Sequence, residues 1–160
     1  TLAEQGKDNA KRLARLIDAV REFHEKFGFP IGTNCLGGSK VHGLIALSLI
    51  SGSLRSVAEC AKPFSDHPLI PRVQLIAEEL RELIDAAIAE DEVAFADALA
   101  DLSYVVTGTA VAFGMPLEQL VEEVHRSNMT KDVGTGFKPT KGKDYSPPDI
   151  EAVLWRHKKS

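Results

Sequence analysis

The chain has 160 residues, 44% of them hydrophobic and 26% charged, which suits one soluble globular domain with a core of its own. A formal net charge of −4 excludes a general electrostatic case for binding a nucleic-acid polymer. Cys35 and Cys60 stand in no CxxC pattern, which argues against a zinc site or a disulfide scaffold and leads us to expect a reducing cytoplasm. The first residues are polar and charged, with none of the character of a signal peptide.

Five helices are expected in chain order. The first runs from about Asn9 to Phe27, where Leu13, Leu16, Ile17, Val20, Phe23 and Phe27 recur at helical spacing; Asp8 or Asn9 caps it, and Gly28 followed by Pro30 ends it. The second, Val41 to Ala61, is apolar, but Ser48, Ser51, Gly52 and Ser53 in its middle leave open a kink or two shorter helices. The third, Pro71 to Ala89, carries a core stripe of Val73, Ile76, Ala77, Leu80, Leu83, Ile84, Ala87 and Ile88. The fourth spans Asp91 to Phe113. Gly114 and Pro116 mark the turn into the fifth, Pro116 to Met129, because Gly favours a helix end and Pro a helix start. A Gly/Pro/Lys-rich tail follows, with a short final helix from Pro147 to Arg156. No segment alternates with period two, so the fold class is all-α, a helical bundle with a partly irregular C-terminal tail. Val93 to Met115 holds only Asp97 and Asp101 as charges. Its uninterrupted part, about 14 residues, is too short to span a bilayer, and no membrane association is expected.

Charge is unevenly placed. Glu78 to Glu123 contains twelve acidic residues and a single basic one, Arg81, whereas Thr130 to Ser160 has seven Lys/Arg against four Asp/Glu. On the third helix Glu78, Glu79 and Glu82 fall on one arc, with Asp85 beside it. On the fourth, Asp97 and Asp101 are four residues apart on one face, continued by Tyr104. That helix is apolar nearly all round and is expected to be buried, and a buried carboxylate needs a cation. Two partners remain open: a divalent metal, for which carboxylate oxygens are the hard ligands that Mg²⁺ prefers, or Lys and Arg side chains in structural salt bridges.

Three stretches resemble one family. AEELREL at Ala77–Leu83, DALADLSYVVTGTA at Asp97–Ala110 and EVHRSNMTK at Glu123–Lys131 are similar to the all-α NTP pyrophosphatases, the MazG-like and phosphoribosyl-ATP pyrophosphohydrolase-like proteins. REFHEKFGFP at Arg21–Pro30 and KGKDYSPPDI at Lys141–Ile150 share the likeness. The resemblance implies a nucleotide pyrophosphohydrolase that cleaves a (d)NTP or related nucleotide to the monophosphate and pyrophosphate, in a house-cleaning role. It implies Mg²⁺, with Mn²⁺ as a substitute, held by Glu78, Glu79, Glu82 and Asp101, with Glu79 and Glu82 in catalysis. It places Asn128 and Lys131 near the nucleotide and makes the chain a homodimer or homotetramer. Tyr104, Lys141, Lys143 and Tyr145 are further candidates for substrate contact. In a polar helix end and a solvated tail, the same residue types are also commonplace.

The chain departs from the family pattern twice. The usual glutamate of the second acidic helix is Ala98 here, with Asp97 one residue earlier as a shorter metal ligand. The link between Pro30 and Pro71 is long, so residues 31–69 are read as an insertion within a single domain of residues 1–160, with the tail at about 130–160. Other readings are a nucleotide- or metal-binding module without hydrolysis, a phosphoribosyl-ATP pyrophosphohydrolase, and an acidic helical interaction protein. His24 and His42 have no assigned partner, and His125 is expected to be structural.

Overall fold

The computed structural model describes residues 2–32, 41–64, 66–134 and 138–159, without the side chains of residues 2–6, 9, 41 and 42. Cys35, the side chain of His42, the proposed cap Asn9 and part of the 31–69 segment lie outside that set. Among the described residues there are six α-helices: α1 (Leu2–Phe27), α2 (Val41–Ala61), α3 (Ile70–Ile88), α4 (Glu92–Ala112), α5 (Leu117–Met129) and α6 (Ile150–His157). The only β-type pairing there is an isolated bridge between Asp132 and Thr140, so the fold class is all-α. Two compact units divide the chain, one of Asn34–Gly114 and one of Thr1–Thr33 with Met115–Ser160.

In the first of these units α3 packs on both α2 and α4. Its buried core is made of small side chains: Ala58 of α2, Ala77 and Ala86 of α3, Ala98 and Ala110 of α4. Small residues at a helix contact shorten the distance between axes, and the bulky side chains end at the margins. The serines of α2 do not break it. Ser48, Ser53 and Ser56 each donate to the carbonyl four residues back, and the helix is continuous. Buried Ser51 donates instead to Asp85 Oδ1 of α3 at 2.6 Å, and Gln74 of α3 donates to the Ala58 carbonyl at 3.2 Å. By length and composition Gly43–Phe64 would reach across a bilayer; these polar ties to α3 suit a packed bundle helix instead.

The α3–α4 turn is a Schellman end. Glu90 N–H bonds Ala87 O at 3.3 Å and Asp91 N–H bonds Ala86 O at 3.0 Å, with Glu90 at φ +54°. Asp91 then caps α4, its carboxylate accepting from Ala94 N–H at 3.0 Å, one of the orphan donors of a helix start.

α4 differs from its sequence expectation. Packed along one side by α3, it leaves Val93, Tyr104 and Val111 at 82%, 80% and 76% exposure, and Asp97 and Asp101 are exposed as well. An apolar helix is buried only as far as it has neighbours, and among the described residues of its own unit α4 packs on α3.

In the other unit α5 packs on α1 and α6. α1 begins at Leu2, so Asp8 lies inside the helix and pairs with Arg12 at 3.2 Å rather than capping. Its end is as expected: Gly28 adopts φ +70°, a left-handed value glycine takes without steric cost, and His24 Nδ1 bonds the Pro30 carbonyl at 2.9 Å. Phe23 gathers Phe27 and Phe29 at ring separations of 4.7 and 5.6 Å. Leu13, Ile17 and Val20 of the apolar stripe stay exposed.

Candidate functional site

The acidic arc is real as an electrostatic object. Burial, followed by the charges of Glu82, Asp101, Glu78 and Asp97, raises the pKa of Glu79. Carboxylates from α3 and α4 thus lie near enough for each to disfavour ionisation of Glu79. Glu78 and Glu79 are half-buried; Glu82, Asp97 and Asp101 face solvent. Ala98, at the position of the family's usual glutamate, is buried at 5% exposure, so the register that would hold a glutamate is spent on packing. Asp97 contributes the weakest of the four charges acting on Glu79. Tyr104 projects into solvent from the same side of α4, four-fifths exposed.

In kind, this donor set suits a hard divalent cation. In position it does not yet: among the described residues no three Asp, Glu, His or Cys side chains converge as ion ligands. Coulomb repulsion acts over longer distances than coordination, so a crowded field and an unassembled ligand set coexist. Part of the reason is local. Arg81 donates through Nη2 to Glu82 Oε1 at 3.1 Å and through Nη1 to Asp85 Oδ2 at 2.7 Å, which engages one of the expected ligands.

The EVHRSNMTK stretch and the tail meet within their own unit. Glu123 binds Arg126 through two contacts of 2.9 and 2.7 Å and accepts from Asp149 N–H at 2.7 Å. Arg126 in turn donates to Ser146 Oγ at 3.1 Å and to the Pro147 carbonyl at 2.9 Å. The bond with Arg126 and that from the Asp149 amide hold the Glu123 carboxyl at about 2. Thr130 receives Ser146 N–H at 2.8 Å. His125 lies 3.2 Å from Glu22 of α1, a structural contact as expected. These motif residues pin the tail to α5.

Within this pinned segment Lys131, Lys141 and Tyr145 gather. A hydrogen bond from buried Ser127, then the charges of Lys141 and Lys131, lower the Tyr145 phenol despite opposing burial. Lys141 Nζ sits 5.0 Å from the Tyr145 ring centre. The tail loop depends on Gly142, where a Cβ would fall 1.7 Å from Asp132 Oδ2. Asn128 is half-buried at the end of α5, and Lys143 is exposed. The structure therefore groups the sequence candidates into Glu78, Glu79, Glu82, Asp97 and Asp101 in one unit, and Lys131, Lys141 and Tyr145 in the other. It adds Ser51 and Ser127, to which sequence reading gave no site role, and it shows Arg81 and Asp85, noted in the sequence beside the arc, bonded to each other. A serine in an apolar helix, needing a buried partner, was the signal for Ser51.

The fold is all-helical, and carboxylates of two adjacent helices, α3 and α4, act together on Glu79. Residues 57–128, from the end of α2 through α5 and less than half of the chain, match the family model described as phosphoribosyl-ATP pyrophosphohydrolase, so that stretch is similar to the MazG-like all-helical NTP pyrophosphatases. The match supports a pyrophosphohydrolase-type activity on a nucleotide, and it begins inside the stretch read from sequence as an insertion. No curated protein and no solved structure matches the chain.

Proposed function

We propose that this protein is a Mg²⁺-dependent nucleotide pyrophosphohydrolase. It cleaves a (d)NTP or related nucleotide between the α and β phosphates, releasing the monophosphate and pyrophosphate. The observation that carries this reading is the raised pKa of Glu79 among four other carboxylates of α3 and α4. A field of negative charge that only Arg81 offsets among its described contacts is costly to fold and is explained if it serves to hold cations that accompany a polyphosphate. Bound there, Mg²⁺ offsets the phosphate charge.

Glu79, whose pKa is raised by burial and by the neighbouring carboxylates, is suited to take a proton from the attacking water. The water oxygen forms the new bond to phosphorus, the bridging bond breaks, and pyrophosphate leaves. Glu82, Glu78, Asp97 and Asp101 are the further cation ligands in this proposal. Lys131, Lys141 and Tyr145 are assigned to phosphate recognition, with Tyr104, Asn128 and Lys143 as further contacts. The exposed apolar side of α4 favours assembly as a homodimer or homotetramer; light scattering at micromolar concentration is expected to give at least twice the chain mass, and a monomer contradicts it.

The name of the matching family model favours a second substrate, phosphoribosyl-ATP, with the same products in kind. One assay separates the readings. The pure protein is incubated with NTPs, dNTPs and phosphoribosyl-ATP in Mg²⁺, and pyrophosphate is measured. Release that stops in EDTA and returns with Mg²⁺ or Mn²⁺ is the expected result, and the best substrate decides between the two. Nucleotide affinity without release marks a binding module, neither one marks an interaction protein, and full activity in EDTA removes the metal from the proposal.

A further inference from the structure

The tail carries an apolar wall beside its lysines. Asp132 and Thr140 exchange N–H···O bonds of 2.9 and 3.0 Å, so the chain runs antiparallel through this bridge, and side chains alternate across such a pair. One face holds Asp132 and Thr140: a Cβ at Gly142 would fall 1.7 Å from Asp132 Oδ2, and one at Gly134 would fall 3.1 Å from Thr140 Cγ2. The opposite face therefore takes Lys131 with Lys141 and Val133 with Pro139. Each couple is found together. Lys131 and Lys141 both act on the Tyr145 phenol, whereas Val133 and Pro139 line a cavity of about 330 Å³ with Phe27, Phe29 and Pro30. That cavity lies inside one compact unit, and its α1 wall is fixed in three places. Lys26 Nζ donates to the Met129 carbonyl at the end of α5, His24 Nδ1 bonds the Pro30 carbonyl at 2.9 Å, and Phe29 stacks on Phe23 with 14° between the ring planes.

We propose that Phe27, Phe29, Pro30, Val133 and Pro139 hold the base of a nucleoside phosphate whose phosphate lies on Lys131 and Lys141. This rests on the chain acting on a nucleotide, as in the function proposed above, and it adds where the base goes. The cavity is near the lower end of the size range of small-molecule sites, and none of its described lining residues has a polar side chain. An apolar, aromatic hollow at one end of the bridge and two cations at the other match a flat ring that carries an anion. The two ends stand two strand residues apart, about 7 Å, a distance that one pentose bridges. Aromatic walls supply stacking, which every base accepts because every base has a π-face. Such a site demands a base without demanding one particular base.

The test is calorimetric titration of UMP and of ribose 5-phosphate, which keeps sugar and phosphate and lacks the base. Both go into the full chain in EDTA, so that neither hydrolysis nor a metal contributes, with circular dichroism reporting the fold. UMP is expected to bind about tenfold more tightly than ribose 5-phosphate, the scale of one base–aromatic stack. Phe27→Ala should bring UMP down towards ribose 5-phosphate and leave the latter unchanged. Val133→Asn, at an exposed position, should act in the same direction by less, and it supplies the reading if Phe27→Ala does not fold. Lys141→Gln should weaken both ligands alike. Equal affinities in the parent chain, a ratio that survives the folded pocket variants, or no binding of either ligand overturns the base site, and pyrophosphate release in Mg²⁺ then leaves the proposed function standing. The expected ratio in a chain that releases no pyrophosphate from any nucleotide upholds the base site and overturns that function.

Discussion

Glu79 and Glu123 are glutamates on amphipathic helices of the same short chain, and their surroundings push them in opposite directions. Glu123 meets a guanidinium and a backbone N–H, and its carboxyl falls to about 2. Glu79 meets four carboxylates, and its pKa rises. The first arrangement is complete: every charge has a partner and the result is a fastened tail. The second is incomplete, and folding alone gives no reason to build it. Strain of this kind marks where a chain gives up stability for chemistry, which is why the function is assigned to the arc of α3 and α4 rather than to the better-bonded EVHRSNMTK segment.

The sharpest test of that contrast is Glu79→Gln. Pyrophosphate release should fall by at least roughly 10²-fold, the scale of removing one electrostatic or proton-accepting group, while the melting temperature at neutral pH rises. The sign follows from linkage. A carboxyl raised in the folded chain costs stability above its shifted pKa, and the cost is relieved as the pH falls through it. Full activity, or a lower melting temperature, would make the arc an ordinary solvated face.

Glu123→Gln is the mirror experiment. Because the folded carboxyl sits at about 2 against an ordinary 4.5, its contribution is complete above about pH 4.5 and is lost as the pH falls through about 2. The variant should be less stable at neutral pH, cut faster by protease in residues 141–150, and no different from the parent at the acid end of that window. Equal stability at pH 7 would mean that the tail is held by something else.

A smaller effect should be visible at Tyr145. Its phenol titrates below the ordinary value because of Ser127, Lys141 and Lys131, and Lys141→Gln should move the ultraviolet titration upward. A Tyr145 curve indifferent to that change would dissolve the basic cluster.

The smallest change touches neither glutamate. Glu90 holds a left-handed φ of +54° where a Schellman end favours glycine, so Glu90→Gly should gain about 1 kcal/mol in denaturant unfolding with unaltered pyrophosphate release. A loss of stability would show that the Glu90 side chain itself matters at that turn.

The middle helices were legible in the sequence almost to the residue, α2 at Val41–Ala61 as expected and α3, α4 and α5 within about one residue of it, whereas α1 begins at Leu2 rather than Asn9 and α6 at Ile150 rather than Pro147. Periodicity, Gly28, Pro71, Gly114 and Pro116 are local signals, and local signals set where a helix starts and stops. The acidic arc was legible too, because 100° of turn per residue places Glu78, Glu79 and Glu82 together without reference to anything outside the helix. Burial was not: α4 reads as a core helix from composition, yet leaves Val111 and Tyr104 in solvent, since exposure depends on which neighbours a helix acquires. Nor was the partner of each charge. Ser51 and Asp85 are 34 residues apart and belong to different helices, and Glu123 finds the Asp149 amide 26 residues on. Sequence alone determined the helices and the faces on which their carboxylates lie, because those follow from backbone geometry. Only the tertiary structure decided which carboxylates are satisfied and which are left to repel one another, because a charge is neutralised by whatever packing brings near it.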